Sequence, residues 1–359
     1  MYSHTFELSV PSPASAVSFG VSDQLAVGSE DGSVRIYQLP STKVVKAIQG
    51  LGQDVASLAW VYEKTPSAPH LWVASGTKAF LFNCGLEKLI LTSADASQAL
   101  VLGEDDEDVI NELSINDSKK CLAFATDAGT VGVVDLSSMS VTRMKAMHTS
   151  ICSSAKFVPG RPSELLSGGY DSSLLHFDFK QNTVLSRFDI TSPPPSSGIS
   201  LSPPFVLSTA LSAGGLICAT TADGRLWIGS GGDKLAPSAD KKKRVRRWQG
   251  LKESEGCFFQ IADGPVVGSA FLPDGTSLLT STLLGRLARH DLAYNDDQHI
   301  HTKVSWSAEV KSLAKVNAIA VSDGWLTICG ISKAGRGMVE VWQFSRAEVA
   351  VEALSKLPM

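Results

Sequence analysis

Between His148 and Lys180 the chain reads HTSICSSAKFVPGRPSELLSGGYDSSLLHFDFK, and this segment limits the fold more than any other. An apolar strand closes on Phe157, and a Pro-containing turn follows. Leu165-Leu166-Ser167-Gly168-Gly169 then makes a second strand, and Asp171 precedes a third that ends on Phe177-Asp178. Short apolar runs broken by Gly, Pro and Asp are the pattern of antiparallel hairpins. A sheet this small cannot bury both of its faces alone, so the remaining chain must supply similar units to pack against it.

It supplies six weaker ones. Taking Ala155-Lys156-Phe157 as the marker strand, comparable strands fall at Val17–Phe19, Leu58–Trp60, Leu113–Ile115, Thr209–Leu211, Ser269–Phe271 and Ile319–Val321. Successive markers from Phe19 to Val321 are 41, 55, 42, 54, 60 and 50 residues apart. After most markers come a second apolar strand, a Gly-containing turn and a third strand, as in LAVGSEDGSVRIYQL (Leu25–Leu39), LAFATDAGTVGVVDL (Leu122–Leu136), ICATTADGRLWIG (Ile217–Gly229) and LLTSTLLGRLARHDL (Leu278–Leu292). The tight turns need positive φ, which Gly supplies at little steric cost.

The order of these features resembles the WD40 repeat, a four-stranded blade whose third strand ends in Trp-Asp. Here that ending is Tyr37-Gln38, Val134-Asp135, Phe177-Asp178, His290-Asp291 or Trp342-Gln343, and no copy is a literal Trp-Asp. The expected fold is therefore all-β, a seven-bladed WD40 β-propeller over residues 2–345. A Pro/Ser linker (191–204) and a basic loop (230–243) are insertions, and 346–359 forms a short tail. His4–Leu8 precede the first marker without a partner in their own repeat. They are expected to complete the last blade beside Met338–Phe344, which removes a free strand edge and ties the termini together.

Composition agrees with a globular chain: 43% of residues are apolar and 19% charged. No apolar run approaches 18 residues and no charged-then-apolar leader opens the sequence. An intracellular protein of nucleus, cytoplasm or both, without membrane contact, is the expectation. The six cysteines, Cys84, Cys121, Cys152, Cys218, Cys257 and Cys329, are more than twenty residues apart, so none forms a C-x-x-C pair. Most fall in apolar strands, where a thiol packs as a small hydrophobe.

In well-formed blades of this type a His, a Ser or Thr, an Asp and a Trp form a hydrogen-bonded chain. The matching residues here are His148, Ser167, Asp171 and Phe177, and Phe177 has no donor, so three members are expected to connect. The other blades lack this set and are expected to rely on apolar packing and backbone ladders. A His–Asp–Ser triad has the same residue types. It would need an exposed nucleophile elbow, and nothing around Ser167 resembles G-x-S-x-G. No P-loop, H-E-x-x-H or dinucleotide glycine pattern occurs. The chain is expected to be non-catalytic, with no cofactor and no metal.

Charge is unevenly placed. Lys241, Lys242, Lys243, Arg244, Arg246 and Arg247 put six positive charges into seven residues of a chain whose net charge is −4, leaving −10 elsewhere. This run is a candidate nuclear-import signal; a solvated loop or edge strand through Arg246-Arg247-Trp248, and contact with nucleic acid, are the alternatives. Glu104–Asp108 is an uninterrupted acidic run, expected as a surface loop because adjacent carboxylates repel. Ser192 and Ser202 stand before prolines in the linker, and His299 and His301 share one face of an outer strand without a third ligand in view.

The middle of the chain is also similar to the WD repeat-containing protein 53 family. The likeness rests on NELSI (Asn111–Ile115), LAFATDAGTVGVVDL, the His148–Phe179 segment and SPPFVLSTALSAGGLICATTADGRLWIG, about a third of the chain. It implies a non-catalytic interaction scaffold or adaptor that docks proteins or peptides on the propeller face. Members of this group have been considered substrate receptors for cullin-4-type ubiquitin ligases, which carry W-D-x-R at a blade end. The matching residues are Phe177-Asp178-Phe179-Lys180, making Asp178 and Lys180 candidate adaptor contacts, although Lys lacks the planar bidentate fork of Arg. A chromatin- or RNA-associated propeller is the remaining alternative.

Overall fold

The computed structural model describes residues 2–62, 68–191, 202–230, 251, 256–294 and 300–344. Their strands form seven antiparallel sheets arranged as blades. The innermost strands are Ala14–Phe19, Val55–Val61, Ile110–Ile115, Cys152–Phe157, Val206–Leu211, Val266–Phe271 and Leu313–Val321. Each contains one of the seven marker triplets, so the marker periodicity is the blade periodicity. Neighbouring innermost strands pack side by side, and Leu313–Val321 returns against Ala14–Phe19, which closes the ring.

Closure uses the amino-terminal strand. Tyr2–Val10 pairs antiparallel with Gly337–Phe344 as the outer strand of blade 7, with Leu8 opposite Val339 and Val10 opposite Gly337. Tyr2 lies 5.1 Å from the Phe344 ring and 5.6 Å from Trp306 of blade 6, centroid to centroid. The terminal strand thus buries aromatic surface across two blades as well as completing a ladder.

Seven apolar clusters fill the seven inter-blade spaces. The last residue of each marker, Phe19, Trp60, Ile115, Phe157, Leu211, Phe271 or Val321, packs in the space between its own blade and the preceding one. This explains why the marker is the most legible part of each repeat: its apolar end is needed by two blades at once. The six cysteines are free thiols, and Cys152, Cys218 and Cys329 are buried in these spaces. Burial pushes the Cys218 and Cys329 thiols up to about 12.

Blade 1 departs from the four-strand plan. Ile90–Thr92, from the insertion between the third and fourth strands of blade 2, adds to its outer strand Val44–Gln49 in parallel, making five strands. Lys46 clamps the insertion, its Nζ donating to the carbonyls of Leu86 and, at 2.9 Å, Lys88. The insertion visible as the 55-residue spacing between markers therefore covers an exposed strand edge of the previous blade.

Candidate functional site

Blade 4 brings His148, Ser167 and Asp171 together. His148 Nδ1 is 2.9 Å from Asp171 Oδ1 and Nε2 is 2.7 Å from Ser167 Oγ. A carboxylate only accepts, so Nδ1–H donates to Asp171 and the Ser167 hydroxyl donates to Nε2. Gly169 makes room for the ring: a Cβ there would sit 2.5 Å from His148 Nδ1. Phe177 is 1% exposed and packs in the core with Phe179 and Leu165. With no donor, it leaves Ser167 as the end of the chain.

A further member was not legible beforehand. Ser173 Oγ donates to Asp171 Oδ1 at 2.8 Å, and the Thr149 amide reaches Oδ2 at 3.1 Å. Burial opposes ionisation of Asp171, but hydrogen bonds from His148, Ser173 and the Thr149 amide outweigh it and hold the carboxyl well below its ordinary range. Ser167 is fully buried and His148 nearly so, and the hydroxyl points its proton at the imidazole inside the blade. The geometry is that of a structural tether between the turn before the first strand and the hairpin that carries Asp171.

The expectation that other blades rely on apolar packing and backbone ladders alone is corrected by their turns. In blade 5, Arg225 pairs with Asp223 at 2.7 Å and donates to the Thr191 carbonyl at 3.0 Å. In blade 7, the fully buried Glu340 accepts from the Lys311 amide at 2.6 Å, the Ser312 amide at 2.7 Å and Trp342 Nε1 at 3.2 Å. Asp108, last in the acidic run expected as surface, is buried and accepts the Glu104 amide at 2.8 Å and the Ala128 amide at 2.7 Å. Glu340 and Asp108 satisfy turn amides that would otherwise be stranded in the ring, while Asp223 takes up the Arg225 guanidinium.

Asp178 and Lys180 separate in character. Asp178 is buried and its Oδ1 accepts the Lys180 and Gln181 amides, each at 3.0 Å, while the Lys180 side chain is exposed. Lys241, Lys242, Lys243, Arg244, Arg246 and Arg247 lie outside the described residues. The outer strand of blade 5 is Gly256–Gln260, downstream of the position suggested for Arg246-Arg247-Trp248. His301 is exposed, and His299 and Ser192 lie outside the described residues. Among the described residues no three His, Cys, Asp or Glu side chains gather as metal ligands, and no helix is long and apolar enough to cross a membrane.

A concave surface lies between blades 2 and 3. Two adjoining hollows, of about 540 and 840 Å³, share Tyr62, Asp117 and Lys119. Tyr62 stacks on Trp60 with ring centroids 5.9 Å apart, and Lys119 Nζ lies 5.5 Å from the Tyr62 ring centre. The Tyr62 hydroxyl accepts the Val21 amide at 2.8 Å and occupies the place a side chain at Gly20 would need, 2.0 Å from its Cβ position. That approach across blades fixes an aromatic platform with charged residues at its edge. The sequence signal for it was Gly20 directly after a marker, which carried no meaning until Tyr62 was seen against it.

The ring, the seven sheets and the amino-terminal closure together decide the architecture. This is a seven-bladed β-propeller. The chain superposes on the β-propeller domain of Cps50 (Swd1) from Myceliophteria thermophila with a TM-score of 0.68 at 16% identity, covering 96% of this chain and 100% of that one. The WD40 β-propeller domain of Doa1 matches equally, with a TM-score of 0.68 at 13% identity over 96% of this chain and 98% of the other. In sequence, 173 residues are 26% identical to the WD repeat-containing protein 53 homolog of Dictyostelium discoideum, spanning 45% of this chain and 42% of that protein. No protein-family model matches this chain.

Proposed function

We propose that this WD40 propeller is a non-catalytic interaction scaffold whose docking surface is the aromatic platform between blades 2 and 3. The observation that supports this most is the pair of hollows sharing Tyr62, Asp117 and Lys119 beside Trp60. Aromatic side chains held rigidly at the centre of a concavity, with charges at the rim, are the composition of protein-binding hot spots. The ring keeps the platform preformed, so a partner would not have to order it.

The ligase-receptor role gains no support from blade 4. The Oδ1 atom of Asp178 is already taken up by two backbone amides, which leaves Lys180 as the exposed candidate contact. Affinity purification of the full chain should return a reproducible set of proteins. A Tyr62→Ala, Lys119→Glu variant with an unchanged melting temperature should lose that set. Retention of the same proteins by the variant would refute this docking surface, and the absence of any reproducible partner would refute the scaffold reading.

A further inference from the structure

We propose that the cleft between blades 5 and 6 is a binding site for a carboxylate carried on an apolar body. The cleft has a volume of about 500 Å³ and lies between the outer strand of blade 5, Gly256–Gln260, and the strands of blade 6. That volume is in the range of small-ligand pockets. Its walls include Phe259, Ile261 and Val304, and its polar groups include Thr280, Arg286, His290 and Thr302.

Two polar atoms in this cleft lack partners. His290 is 1% exposed; its Nε2 lies 3.0 Å from Thr280 Oγ1, and its Nδ1 has no hydrogen-bond partner among the described residues. Thr302 Oγ1 is likewise buried and unpartnered. Buried polar atoms in folded proteins are nearly always satisfied, so two orphans lining one cavity mark a place where a ligand can supply the missing partner. An acceptor placed at Nδ1 selects the tautomer that carries its proton there, with the Thr280 hydroxyl then donating to Nε2.

The charge around the cleft selects the kind of acceptor. Among the described residues no aspartate or glutamate lines it, and Arg286, which does, has no carboxylate partner among them. Burial, reinforced by the Arg286 charge and opposed by Asp291, lowers the His290 pKa to about 4, so the imidazole is neutral near pH 7. A carboxylate can accept from the His290 Nδ1–H and the Thr302 hydroxyl, with Arg286 farther along the same strand adding positive charge, whereas a cation would meet that charge unopposed. The aromatic and aliphatic walls suit a hydrophobic body attached to that head group. This chemistry is shared by small free acids and by the carboxyl end of a peptide. It is independent of the platform between blades 2 and 3, which lies on different blades, so either assignment can fail alone.

Titration calorimetry on the full chain tests it with 3-phenylpropionate and its amide, and with a tetrapeptide ending in phenylalanine as free acid and as amide. At least one free acid should bind saturably and at least tenfold more tightly than its amide. A tighter small acid would assign the site to free metabolite-like acids, and a tighter peptide acid to a peptide terminus. Arg286→Gln, at an exposed position that should fold normally, should weaken the tighter acid about tenfold, and the His290 side-chain nitrogen resonances should shift on binding to the wild type. No saturable binding of either acid, equal binding of acid and amide, or unchanged affinity in Arg286→Gln would overturn the assignment.

Discussion

Blades 4 and 6 each hold a buried histidine, and the two rings meet opposite surroundings. In blade 4 both nitrogens of His148 are engaged, one by the Asp171 carboxylate and one by the Ser167 hydroxyl. In blade 6 the ring of His290 engages Thr280 through one nitrogen and leaves the other without a partner beside a cavity, with Arg286 as the nearby charge. A buried imidazole with a full set of partners tethers a fold, whereas one with a missing partner weakens it and offers a contact to something else. The same residue type therefore serves cohesion in one blade and is available for recognition in another.

The sharpest way to break this contrast is acid. The folded-state pKa of His290 is lowered from 6.5 to about 4. Between those values the unfolded chain binds the proton and the folded chain does not, so stability falls as pH drops through that window. The full difference is roughly 3 kcal/mol from 1.36 kcal/mol per pK unit. Denaturant melts at pH 7 and pH 4 should show a smaller loss in His290→Leu than in the wild type by about that amount.

Removing a partner in blade 4 acts at neutral pH. His148→Ala or Asp171→Ala should lower stability by about 2 kcal/mol, because each leaves a buried group unsatisfied. The Asp171 contribution is present above the ordinary carboxylate pKa of about 3.9 and is lost as pH falls below it, so the wild-type advantage over Asp171→Asn should shrink in that range. Equal melting temperatures for wild type and both alanine variants would remove the tether.

Smaller effects sharpen the comparison. Ser173→Ala, which deletes one of several donors to Asp171, should cost about 1 kcal/mol by the same measurement. His290→Leu at pH 7 should lie within about 1 kcal/mol of the wild type, since it removes a half-paired ring and leaves Thr280 the only group deprived. A His290→Leu loss as large as that of His148→Ala would mean that the two rings are equally integrated.

The same contrast shows how far the sequence could be read. The His148 network was legible because its members stand at repeat-specific positions in the best-formed copy. The blades and the Tyr2–Val10 closure were legible because hairpin turns and apolar alternation are local signals. Ser173 was hidden because a serine two residues after Asp171 is indistinguishable from any other turn residue until the hydroxyl is seen on the carboxylate. His290 had one available signal: it occupies the blade-ending position held by Phe177 in blade 4, where an inward-facing polar residue needs an account. Asp108 was missed because charge repulsion argues for exposure of a run as a whole, whereas a single member can turn inward if amides await it. The added strand Ile90–Thr92 was unreadable because three residues in an insertion carry no periodicity.

Side-chain ¹⁵N spectra of the histidines, recorded on the full chain from pH 7 down to pH 4, address the contrast most directly. The expected spectrum has His148 fixed as the Nδ1–H tautomer at pH 7, and His290 neutral at pH 5 with its protonation midpoint near 4. A His290 that takes up its proton near the free-imidazole value of about 6.5 would show a solvated ring, and the division between the two blades would be wrong.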